Sequence, residues 1–200
     1  MSVINGVIPQ QNFEIVHDRI GAILLEELDN QVVLSYNTDL QVEIYKERDL
    51  PFGQGELPAL NVMMERGEYS GQDMQKQDGM YRFIVEGTFE AKGDDEKNGD
   101  TIAMNKLQRL LGVCRAILMD PKYKTLGFAP PFIQNRHIEN IYFGRPVRQD
   151  GGHTVIGRLT LMVKVAETTE LIVPNLIQGF DTTVKLHLTE QGYKWTLDNP

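Results

Sequence analysis

Apolar residues recur at three- and four-residue spacing through the first strongly patterned stretch of the chain, 12–28. Phe13, Val16, Ile20, Ile23, Leu24 and Leu28 share one face, while Glu14, Asp18, Arg19, Glu26 and Asp29 fall largely elsewhere. That period predicts an amphipathic helix whose stripe packs on a core. Asn12 is the expected N-cap, because its side-chain oxygen can accept a first-turn backbone N–H. Residues 32–36 are β-rich, Asn37, Thr38 and Asp39 are turn chemistry, and 40–46 resume, so a strand pair is expected. Residues 48–58 hold two prolines and two glycines and read as a loop. A strand is expected at 60–64, followed by a long exposed loop at 66–79, which is polar and contains three glycines.

The period changes to two at 81–91. Tyr81, Phe83, Val85, Phe89 and Ala91 share one parity, and Arg82, Glu86, Thr88 and Glu90 the other, as in a strand with one buried and one wet face. Gly87 lies on the apolar side, where it marks a bulge or a close packing contact. After a charged loop at 92–99, a second helix is predicted at 100–119. Its stripe is Ala103, Leu107, Leu110, Leu111, Cys114, Ile117 and Leu118, and Pro121 stops it. Residues 122–135 read as irregular. The stretches 138–143 and 155–165 then read as a hairpin joined through Gln149, Asp150, Gly151 and Gly152. Near the end, Val184, Leu186 and Leu188 alternate with Lys185 and His187. Glu190, Gln191 and Gly192 can turn, and Tyr193, Trp195 and Leu197 alternate back.

Two helices are too few to cross over between parallel strands throughout a sheet of at least six. The expected fold class is therefore α+β: a mostly antiparallel sheet with both amphipathic helices on one face, plus a C-terminal β extension. The expected organisation is one α+β domain over 1–167 and an extension or arm over 168–200. Length suits this, since a chain of 200 residues buries a sizeable core without staples.

Charge narrows the function. With 28 acidic and 20 basic residues the formal net charge is −8. That disfavours a general nucleic-acid binder or an anionic-membrane binder, both of which need surplus Lys and Arg. One cysteine excludes an internal disulfide. No charged leader and no apolar run near ~20 residues appears, so synthesis in the cytoplasm and no membrane association are expected.

Chemical motifs end in near misses. Residues 152–159 have phosphate-loop glycine spacing, but Arg158 and Leu159 stand where Lys and Ser/Thr belong, and the segment reads as a strand. Asp94, Glu96, Asn98, Gly99 and Asp100 resemble a calcium loop whose closing bidentate Glu is replaced by Asn105. A solvated turn leading into a helix, with acids at its positive end, accounts for them. His17, His137, His153 and His187 form no helical metal pair, and each reads as a surface or half-buried residue. Ser70 is one residue out of step with a nucleophile elbow. Carboxylate pairs such as Glu86 and Glu90 arise readily among so many acids. No catalytic residue, metal or cofactor is expected, and the chain reads as a non-enzyme.

Apolar residues in irregular, polar-flanked segments remain, and these are the candidate interfaces. They are Leu50, Pro51 and Phe52 in the Pro/Gly loop, Met74 in the long polar loop, Phe128 and Phe132 around Pro130-Pro131, and Leu171, Ile172, Leu176 and Ile177. Singly, such a residue is more commonly a loop anchor tucked into its own core; three such segments in one chain bring the interface reading level with that one.

The order of elements, with Phe13-Glu14-Ile15-Val16-His17-Asp18-Arg19-Ile20, Val42-Glu43-Ile44-Tyr45, Leu57-Pro58-Ala59-Leu60-Asn61-Val62, Tyr81-Arg82-Phe83-Ile84-Val85-Glu86-Gly87, the helix around 107–118 and Gly157 to Val165, resembles the tail terminator (tail completion) proteins of long-tailed bacteriophages. The likeness covers about 12–166. It implies a structural virion protein of the tail: a homo-oligomeric, hexameric ring that caps the tail tube, stops its polymerisation and joins it to the neck or head connector. Implied partners are further copies of the chain, the tail tube protein and the neck protein. DNA would pass through the lumen without sequence-specific binding, which the acidic balance suits. The alternatives are another tail or neck protein, such as a tube or connector subunit, and a small α+β enzyme.

Overall fold

The structure, a computed structural model, describes residues 7–49, 52, 56–73, 76–94, 98–149, 152–168, 179–185 and 192–198. The fold is α+β, with two helices and a mixed sheet of six strands. Helix α1 spans Asn12–Ser35 and α2 spans Gly99–Met119. The strands are β1 (Glu43–Lys46), β2 (Ala59–Asp73), β3 (Lys76–Ala91), β4 (Ile133–Phe143), β5 (Val147–Gln149) and β6 (Gly152–Thr168). They lie in the order β1-β2-β3-β6-β4, with β5 also on β6. The β1–β2 pair is parallel and every other pair in this sheet is antiparallel.

The period-two pattern explains the layering. Leu60, Val62, Phe83, Val85, Leu159, Leu161 and Val163 are fully buried, and they form one core with the stripes of α1 and α2. Helix α1 covers β1 and β2, and α2 covers β3, β6 and β4. Gly87 proves to be a close-packing site. It pairs with Gly157 on β6, and a Cβ at either would come 2.9 Å from a leucine methyl of α2, Leu107 or Leu111 respectively. Two adjacent strands thus leave a bare strip on which α2 rests.

Four local expectations are corrected. Residues 32–35 continue α1 instead of forming a strand, because nothing before Tyr36 breaks the helix; Tyr36 ends it in the left-handed region at φ 54°. The strand pair 32–36 with 40–46 is therefore absent, Thr38–Leu40 is a 3-10 turn, and β1 pairs with β2. The N-cap is Gln11, whose backbone N–H donates to Glu14 at 2.6 Å; Asn12 instead donates its amide to Glu167. The expected loop at 66–79 is the far half of the β2–β3 hairpin, in register to Asp73 opposite Lys76. Its glycines are packing sites rather than turn signals: Gly67 and Gly79 lie against the Tyr81 ring, which fills the space their side chains lack. Strand β6 then pairs with β3 over that whole length, satisfying the backbone on its other side.

Strand β4 begins at Ile133, within the stretch expected to be irregular, and β5 rather than β4 leads into the start of β6. The sequence-expected end of α2 agrees, with Met119 its last residue and Pro121 two beyond. The unit just described spans 10–169. In the other unit, β7 (Gly179–Lys185) and β8 (Gly192–Asp198) form an antiparallel pair that sets Val184 opposite Tyr193 and Thr182 opposite Trp195.

Candidate interaction surfaces

The loop after β1 is pinned at its root. Buried Asn61 on β2 accepts the Arg48 backbone N–H at 3.1 Å and donates to the Arg48 carbonyl at 2.6 Å. The Arg48 guanidinium lies 4.6 Å from the Tyr45 ring centre and 4.8 Å from that of Phe52, and pairs with Glu56 at 2.8 Å. Such stacking suits a delocalised planar cation. The Glu43 carboxylate accepts the Tyr45 O–H and raises that phenol above its ordinary value. Phe52 packs back on Tyr45, its ring tilted by 50° at 5.2 Å, and is half-buried. Leu50 and Pro51 lie outside the described residues.

Phe128 and Phe132 lie 4.7 Å apart and pack, partly buried, against the main core. Their loop is tied down by Arg19, which donates to the Leu126 carbonyl at 2.8 Å, and by the Ala166 N–H on the Phe132 carbonyl at 2.9 Å. Among the described residues Phe52 makes its ring contact with Tyr45 and none with Phe128 or Phe132. Met74, Leu171, Ile172, Leu176 and Ile177 lie outside the described residues.

The sheet face away from the helices is a lattice of ion pairs. Arg82 on β3 sits between Glu65 on β2 (2.9 Å) and Glu139 on β4 (3.0 Å). Arg158 pairs with Glu86 at 2.6 Å and Lys164 with Asp78 at 2.7 Å. The hydrogen bonds from Lys164 and Gln134 hold the Asp78 carboxyl below its ordinary range. Glu86 and Glu90, weighed above as a carboxylate pair, share this face, and Glu86 is taken by Arg158.

The chemical near misses resolve locally. Residues 152–159 are all strand, and Asn98 is the N-cap of α2. His17 is more buried than expected: its Nε2 lies 2.9 Å from the Val62 carbonyl and its ring stacks on Phe83. His137 is exposed and His153 partly buried, while His187 lies outside the described residues. Burial pushes the Cys114 thiol up to about 12. Among the described residues no group of three or more His, Cys, Asp or Glu could hold a metal, and no helix is long and apolar enough to cross a membrane.

Sequence reasoning missed an exposed apolar run on α1. Leu25 (50% exposed), Val33 (70%), Leu34 (66%) and Tyr36 (91%) face solvent. Leu25 sits off the core stripe, which was the available signal; the others were hidden by reading 32–36 as a strand. A groove of about 410 Å³ separates the helices, with Glu27, Asn30 and Gln31 on one wall and Arg109, Gly112, Val113 and Ala116 on the other.

The chain matches no known protein-family model, and no curated protein matches it.

Proposed function

We propose that the protein is a phage tail terminator, a ring subunit that caps the tail tube, halts its growth and joins it to the neck. The observation that carries this reading is a sheet open at both margins. Strand β1 covers β2 only from Ala59 to Val62, so β2 runs on to Asp73 with no strand on its outer side among the described residues. At the other margin, among the described residues, β4 has a partner only in β6. Unpaired edges on opposite sides of one sheet suit a subunit completed by neighbours through two different patches, the condition for a closed ring. The paired charges of the outer sheet face and the net charge of −8 suit a surface past which DNA slides without sticking. In this reading the partners are further copies of the chain in a hexamer, the tail tube protein and the neck protein.

Depleting the protein from phage-producing cells tests the role. Overlong tubes and heads without tails, corrected by supplying the intact chain, are expected in electron micrographs. Tails of normal length joined to heads in its absence would refute it.

A further inference from the structure

Among the described residues, the exposed charges without a partner differ in sign between the two outer flanks of the sheet. On α1, Glu14 accepts the Gln11 N–H, Asp18 pairs with Lys46, Arg19 holds the Leu126 carbonyl and Glu27 pairs with Lys122. Glu26 and Asp29 remain, both exposed and without a partner; so does Asp49, just past β1. On α2, Asp100 caps Thr101 and Lys106 pairs with Asp39, leaving Arg115 and, at the groove, Arg109. Arg145 and Arg148, beside and within β5, are likewise exposed and unpartnered.

Position fixes which flank each set occupies. On α1, Glu27, Asn30 and Gln31 face α2 across the groove. At about 100° per residue, Leu25 and Asp29 then lie on the far side, and Val33 continues their row at four-residue spacing. Asp29 accordingly lines a hollow with Gln41, Val42 and Glu43 at the start of β1. On α2 the opposite flank is marked by Met104, which lines a hollow with Pro146, and by Met119, whose sulfur lies 3.9 Å from the guanidinium of Arg136 on β4. Arg115 falls between them on the same wheel. The β1 margin is therefore acidic and carries exposed Leu25 and Val33, whereas the β4–β5 margin is basic and carries exposed Met119 and Val147.

We infer that the acidic α1/β1 margin of one copy docks on the basic α2/β4–β5 margin of the next copy, with Asp29 facing Arg115. A second copy of this chain is the occupant because one molecule supplies both halves of the complement on opposite margins of one sheet. A contact of that kind is heterologous and propagates until it closes. The inference rests on the ring reading for closure, while the contact itself is read separately. Reversing Asp29 or Arg115 alone sets like charges against each other, and the double swap restores opposite signs at that contact.

Sedimentation velocity of the purified full chain at low and high salt tests it, with Asp29→Arg, Arg115→Glu, the double variant and Arg145→Glu. Wild type should associate, and less so at high salt. Asp29→Arg, Arg115→Glu and Arg145→Glu should each need roughly tenfold higher concentration to associate. The double variant should return to near wild type. Since all three positions are exposed, melting temperatures should match wild type. A monomeric wild type, single variants that associate like wild type, or a double variant no better than the singles overturns the contact. Normal tube capping by a variant that no longer self-associates also overturns it, without touching the capping role. Failure of capping by a chain that still forms the salt-sensitive assembly would sink the role and leave the contact standing.

Discussion

Two glutamates show how position sets the chemistry of one residue type. Glu27 accepts hydrogen bonds from Lys122 and Tyr123, which together hold its carboxyl below the ordinary range. Its contribution to stability is therefore present above the unfolded glutamate pKa and lost as pH falls through the lower folded value. Glu167 is shifted the other way: burial raises its carboxyl, and the hydrogen bond from Asn12 only partly opposes this. Its ionised form costs stability at neutral pH, and that cost is relieved as pH falls through the raised folded value. Denaturant titrations from neutral pH into the acid range should show opposite signs. Glu27→Gln should lower stability at neutral pH and lose less on acidification than wild type. Glu167→Gln should raise stability at neutral pH and remove the relief on acidification. Equal effects of the two substitutions would show that neither carboxyl is placed as described.

Among the elements, the seat of α2 is the most demanding. The Gly87–Gly157 pair lets Leu107 and Leu111 approach the strands, and no side chain larger than hydrogen fits without moving them. Gly87→Val should therefore destabilise the fold by about 1–3 kcal/mol, the usual cost of overpacking, despite the better strand propensity of valine. Chemical denaturation measures this, and an unchanged midpoint would mean α2 does not rest on this strip. The same elements show where sequence reading succeeded. The stripes of both helices and the alternation of 81–91 were legible because burial on one face imposes a period on the residues themselves. The hairpin at 66–79 was not, because its glycines depend on Tyr81 and its backbone on β6, more than eighty residues away.

For the whole molecule, the distribution of charge matters more than its sum. Duplex DNA should pass a gel unretarded in the presence of micromolar protein at physiological salt, because the net charge of −8 opposes phosphate contacts. Retardation that weakens steeply with salt would show that the basic β4–β5 margin, rather than the net charge, governs the encounter. If copies dock as proposed, that margin is covered by the acidic margin of the neighbour, and the assembly should bind DNA less than the free chain. The candidate interface residues were only partly legible. Phe52, Phe128 and Phe132 were singled out because their segments are irregular, and all three turn out to pack inward on Tyr45 or the core.

The amino-acid sequence by itself determined the class: two amphipathic helices, strands with one wet face, a common core and an acidic balance. Each of these is a local period or a sum, set by which residues neighbour one another along the chain. Only the tertiary structure decided the strand order, the parallel β1–β2 pair, the extension of α1 and the sorting of free charges to opposite margins. Those depend on pairings between distant residues, such as Gly87 with Gly157 and Asn61 with Arg48, which no local pattern encodes. Which charges stay free is likewise known only once Lys46, Lys122 and Lys106 have taken their carboxylates from elsewhere in the chain.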